Sequence, residues 1–144
     1  MKFFPRALQP WQLVMLGGGS GAALRQLIDS VWPGNLGFAV LIVNWMGAFA
    51  LGALITGIIP KARNRAWLGP FWGPGFLGGF TTMSGVALWV NAEARDAGVG
   101  LAALYLMLTV SGSLTSAWLG LRFGENGLRF RRAAGTQPQL GAGS

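Results

Sequence analysis

The 144-residue chain contains no cysteine and no histidine. The first absence excludes a disulfide framework, a thiol nucleophile and a thiolate metal site. The second removes Ser-His and Cys-His catalysis and zinc sites of the usual kind. Charge is scarce as well, at 10% of residues, and only four of these are carboxylates; a soluble domain carries about 25% charged residues. What the chain has instead is apolar mass: 52% hydrophobic residues, 24 Gly and 7 Trp. The glycines follow no collagen-like period. This composition excludes a soluble enzyme, a disordered chain and a fibrous one. It predicts a small, single-domain, all-α membrane protein with no catalytic activity.

Crossing about 30 Å of hydrocarbon takes roughly 20 apolar residues in a helix. Four stretches qualify, near 11–28, 36–59, 67–90 and 99–121. The links between them are short and polar or turn-rich. The chain divides into an N-terminal arm (1–10), a four-helix transmembrane domain (11–123) and a basic, irregular tail (124–144). Trp11, Trp32, Trp67 and Trp118 fall near span ends, where an aromatic belt places them. The Gly17-Gly18-Gly19 interruption and Arg25 argue against reading the first span as a cleaved signal peptide.

The net charge of +7 suits membrane orientation, not nucleic-acid binding. Lys2, Arg6, Lys61, Arg63, Arg65, Arg122, Arg129, Arg131 and Arg132 all fall on one side of the four-span layout. The other side has only Arg95, with Arg25 left inside the first span. Both termini are therefore expected to be cytoplasmic, in the cell membrane.

Apart from Arg25, no span interior carries a charged residue. A proton-coupled exporter needs an intramembrane carboxylate to bind and release its proton. Asp29 lies only at a span end, so a passive conduit is favoured over a pump. The polar groups inside the spans are neutral. Asn44 reads either as interhelical glue or as an amide donor facing an anion path. The third span contains Gly75-Phe76-Leu77-Gly78-Gly79-Phe80-Thr81-Thr82-Met83-Ser84-Gly85. It is a poor continuous helix and is expected to break mid-membrane near 78–82. Alternatively, Gly75 and Gly79 form a close-packing face. In the fourth span Tyr105, Thr109 and Ser113 lie on one stripe at i, i+4 and i+8. Gly112, Ser116 and Gly120 form a small-residue face beside it.

Taken together, Gly18-Gly19-Ser20-Gly21-Ala22-Ala23-Leu24-Arg25, Val43-Asn44-Trp45-Met46-Gly47, the Gly75–Thr82 run and the Tyr105 stripe closely resemble the Fluc family of fluoride channels. The resemblance spans about residues 11–123. It implies four-helix subunits paired as an antiparallel dimer that lets fluoride leave the cell passively, limiting its toxicity. It also implies a structural sodium ion at the dimer centre, held by backbone oxygens at positions matching Gly78 and Thr81. Fluoride would pass polar groups matching Asn44, Ser84, Tyr105, Thr109 and Ser113, with Arg25 near the pore mouth.

The chain departs from the family pattern at several positions. Met83 and Val86 stand where the family usually has Phe, Trp89 replaces a polar residue near the pore end, and the hydroxyl stripe stops at Ala117. An antiparallel homodimer also requires one chain to insert both ways, which the charge asymmetry disfavours. The expected partner is therefore an oppositely oriented paralogue. The alternative roles are a non-conducting subunit of a heterodimeric channel and, last, a small four-helix exporter.

Overall fold

The computed structural model describes residues 8–31, 36–61 and 65–134. Lys2, Arg6, Trp32, the 33–35 turn, Arg63 and the tail from 135 lie outside them. Among the described residues all regular secondary structure is helical, in four runs. The first is α1 (Pro10–Val31). The second is α2 (Leu36–Ala53), which continues through a wide π-helical stretch (Leu54–Ile58) and a tight 3₁₀ turn (Ile59–Lys61). The third comprises α3 (Leu68–Pro70), a π-helical stretch (Phe71–Leu77), α4 (Gly78–Phe80) and α5 (Met83–Asp96). The fourth is α6 (Val99–Ala134).

Proline accounts for much of this irregularity. Pro60 offers no N–H and sits in the 3₁₀ turn that closes the second run. Pro74 sits inside a helix, where its ring crowds the carbonyl four residues back; the third run is widened there. Farther along, Thr81 (φ −74°, ψ 154°) and Thr82 (φ −144°, ψ 117°) are extended, so helical geometry lapses between α4 and α5. Thr82 then caps α5, its side chain accepting from the Gly85 N–H at 3.0 Å. Gly98 turns the chain into α6 at φ +100°, its N–H bonding the Glu93 carbonyl at 3.0 Å.

Glycine sets the packing. A Cβ on Gly17 would strike the Phe71 carbonyl, and one on Gly79 the Gly18 carbonyl, so α1 and the third run touch backbone to backbone. On the other side, Gly52 faces Ala117 and Leu121, Gly120 faces Phe49 and Ala53, and Gly112 lies under the Trp45 ring. These registers make α2 parallel to α6. Close backbone approach through small residues replaces the hydrophobic drive that lipid cannot supply.

Among the described residues two helices, Gly37–Ile58 and Val99–Gly127, are long and apolar enough to cross a membrane. The α1 helix has the length but carries three successive glycines, Arg25 and Asp29, and the third run is interrupted. The protein is an all-α membrane protein, and large apolar side chains such as Met15, Leu88, Met107 and Leu114 face outward.

The fourth span, expected to end near 121–123, belongs to a longer helix. Helix α6 runs on to Ala134, so residues 124–134 are helical and not irregular. Arg, Leu, Phe, Glu and Ala in that stretch sustain a helix once α6 has been nucleated by its packed part. Arg122 folds back over the Trp118 ring, 5.4 Å from its centroid, where the apolar surface gives way to charge.

Candidate functional site

The lapse at Thr81-Thr82 exposes backbone groups that a helix would satisfy internally. Asn44 of α2 takes both groups of Thr82. The Thr82 N–H donates to Asn44 Oδ1 at 2.8 Å, and Asn44 Nδ2 donates to the Thr82 carbonyl at 3.0 Å. Asn44 is only 8% exposed, and a buried amide needs such partners. In a continuous helix that N–H would bond the Gly78 carbonyl; here it goes to the neighbouring helix instead. Thr81 closes the end of α4, its N–H and its hydroxyl both donating to the Leu77 carbonyl, at 3.0 and 2.9 Å. Gly47, one turn from Asn44, makes room for the Thr81 methyl group.

A groove of about 710 Å³ opens beside this lapse. Asn44, Gly78, Thr81 and Ser113 all line it, with Thr82 and Met83. The structure thus brings together the two residues expected to meet a cation and two of those expected to meet an anion. Ser84 is exposed next to it, its Oγ 3.1 Å from Thr82 Oγ1.

The remaining expected residues lie elsewhere. The Tyr105 hydroxyl donates to the Gly37 carbonyl at 2.9 Å. Thr109 is buried, and its hydroxyl donates to the Tyr105 carbonyl at 2.8 Å. Both hydroxyls therefore serve the chain's own backbone. The Trp89 ring lies over Gly37, with its centroid 6.3 Å from that of Tyr105. Together with Glu93 and Leu101 these rings line a separate groove of about 310 Å³. Arg25 pairs with Asp29 one turn on, at 3.4 Å, near the end of α1. Met83 is 68% exposed at the larger groove, whereas Val86 is fully buried.

Sequence reasoning missed Thr82, which caps α5 and accepts the Asn44 bracket. A Thr three residues before Gly85 at a helix start was the available signal. It also missed Gly37, whose importance lies only in what packs on it.

Chemically, the larger groove offers neutral donors and backbone oxygens. Among the described residues no three of His, Asp or Glu gather as a metal site would require. The fold and site define a helical membrane protein with an uncharged polar recess at a lapse in one helix. Comparison with known proteins makes this specific. The model of the CrcB-like protein, Camphor Resistance (CrcB) family matches residues 12–121. The chain belongs to this family.

Among curated relatives, fluoride-specific ion channel FluC 2 of Nocardia farcinica is 39% identical over 110 residues, covering 74% of this chain and 79% of the relative. FluC 1 of Rhodococcus jostii is 38% identical over 125 residues, covering 87% and 93%. FluC of Chelativorans sp. is 38% identical over 113 residues, covering 76% and 90%. These relatives are named as ion channels, and the chain is not an enzyme.

Proposed function

We propose that this chain is a subunit of a fluoride-specific channel through which fluoride leaves the cell passively, lowering its toxicity. The observation that carries this reading is the lapse at Thr81-Thr82, bracketed by Asn44 and lying on an open groove, in a chain whose relatives are named fluoride channels. Fluoride is small and holds water tightly, so a selective path must supply donors at close range. An amide has two N–H groups, and Asn44 spends one of them on Thr82. The other is the donor we assign to the ion path, with the Ser113 hydroxyl farther along the groove and Ser84 beside it. The lapse lies at mid-membrane in this reading, where irregular backbone is tolerated only against protein or a water-filled site.

The groove is half of an interface, and its other half comes from an antiparallel second subunit. A structural sodium ion would lie there. The backbone oxygens of Gly78 and Thr81 fit it in kind, being hard, uncharged ligands at the start and the C-cap of α4, next to a Thr82 N–H drawn off to Asn44. Such an ion would supply positive charge where screening is weak.

The nine-to-one Lys and Arg bias favours one orientation, with both termini cytoplasmic, and hence an oppositely inserted paralogue as partner. A second reading, a subunit that completes the dimer without a conducting path of its own, is favoured by Tyr105 and Thr109. Their hydroxyls are engaged with the backbone, and Trp89 covers Gly37.

Liposomes loaded with potassium fluoride test both. With a potassium ionophore present, fluoride release that follows membrane potential and ignores a proton gradient is expected from the co-reconstituted pair. Proton-coupled release, or none from the chain in any pairing, would overturn the channel. Robust release from this chain alone would overturn the paralogue requirement and the non-conducting reading.

A further inference from the structure

A second, apolar groove of about 620 Å³ lies between the start of α1 and the start of the third run, and shares no lining residue with the groove at the lapse. Leu8, Pro10, Leu13 and Leu16 form one wall, and Trp67 and Phe71 the other. We propose that this groove binds an anionic phospholipid, one acyl chain lying in it and the phosphate headgroup resting at Arg65.

Three observations converge on that occupant. The first is shape and chemistry: among the described residues no charged side chain lines the groove, a lining that suits hydrocarbon. The second is placement. The groove starts where α1 and the third run both start, and Pro10 to Leu16 descends roughly 9 Å along the helix. Trp11 and Trp67 are 61% and 45% exposed at its upper end, as interfacial residues are. Arg65, exposed, directly precedes groove-lining Ala66.

The third is charge. The four carboxylates of the chain are Asp29, Glu93, Asp96 and Glu125. The first lies in the last turn of α1, and the next two near the end of α5. Both are the far ends of their helices from the groove. Only Glu125 belongs to the groove's end of the bundle, because Gly57 abuts Gly124 and brings Lys61 and the end of α6 to one level. Arg65 therefore lies at the end of the bundle that carries one carboxylate of the four, and its charge selects an anionic headgroup over a zwitterionic one.

The test uses the full chain in detergent, titrated with phosphatidylglycerol or phosphatidylcholine. Phosphatidylglycerol is expected to raise the unfolding midpoint by roughly 2–4 °C more than phosphatidylcholine does. Native mass spectrometry should show it retained. Arg65→Gln, which removes the headgroup partner, and Ala66→Trp, which fills the groove, should each abolish the difference, and Arg95→Gln at the opposite end should not. Equal stabilisation by the two lipids, or a difference that survives Arg65→Gln, would overturn the site. So would a groove taken by a second copy of the chain, which would appear as an oligomer broken by Ala66→Trp with no lipid preference. Removing residues 1–7 distinguishes occupancy by the chain's own arm: a phosphatidylglycerol preference that appears only after truncation would overturn the proposal. None of these readouts depends on which ion the protein conducts.

Discussion

Asn44 is the residue on which the recess depends. Its amide meets the Thr82 N–H and carbonyl together, a match that only a primary amide provides. Asn44→Asp keeps the acceptor but sets a carboxylate oxygen against the Thr82 carbonyl. We expect it to lower stability by about 1–3 kcal/mol and to cut fluoride flux. Thermal unfolding in detergent and liposome efflux measure the two effects, and an unchanged melting curve would remove the bracket from the account. Met83 and Val86 separate in the same way. Met83 is exposed at the groove, so Met83→Phe should fold normally. Val86 has no exposed surface, so Val86→Phe overpacks its site and should cost about 1–3 kcal/mol, read as a lower unfolding midpoint. Equal midpoints for the two variants would contradict this packing.

At the scale of the helices, glycine spacing decides what can touch. Gly21 lies against the Phe76 carbonyl, and a methyl group there must push α1 away from the third run. Gly19, two residues earlier, has nothing within 4 Å of where its Cβ would lie. Gly21→Ala is thus expected to destabilise by about 1–3 kcal/mol, whereas Gly19→Ala should be neutral or stabilise by about 0.5–1 kcal/mol through helix propensity. Chemical denaturation of the two variants checks the sign; a reversed order would mean that α1 packs by another face. The lapse between α4 and α5 is of the same scale. It arises where an N-capping Thr restarts the helix and a neighbour supplies the hydrogen bonds that the run gives up.

For the whole molecule, the charge distribution is the basis of the proposed orientation. The chain has no cysteine, which makes single-cysteine labelling clean. Ala66 and Ala97 are both exposed, at opposite ends of the third run. In intact cells, Ala97→Cys should react with an impermeant maleimide and Ala66→Cys only after permeabilisation. Equal labelling at both positions would mean dual insertion and would remove the need for an inverted partner. The long α6 adds to this asymmetry, because its extension past Arg122 places further arginines on the side where Lys61 and Arg65 lie.

The sequence alone determined the membrane setting, the four apolar runs and the family resemblance, because composition and span length act locally and need no tertiary information. The Gly75 and Gly79 packing face was also legible, since small residues four apart on a helix share one side. What Asn44 bonds, and that the Tyr105 hydroxyl reaches the Gly37 carbonyl, was decided only by the tertiary structure, whereas the Thr109 hydroxyl bonds locally, to the carbonyl four residues back in its own helix. A hydroxyl stripe looks the same in sequence whether it faces an ion or a neighbouring backbone. The partner's identity, Thr82 for Asn44 and Gly37 for Tyr105, comes from residues 38 and 68 positions away. The continuation of α6 to Ala134 likewise escaped a reading based on apolarity, because a helix that leaves the bilayer ends where its hydrogen bonding ends and not where its hydrophobicity does.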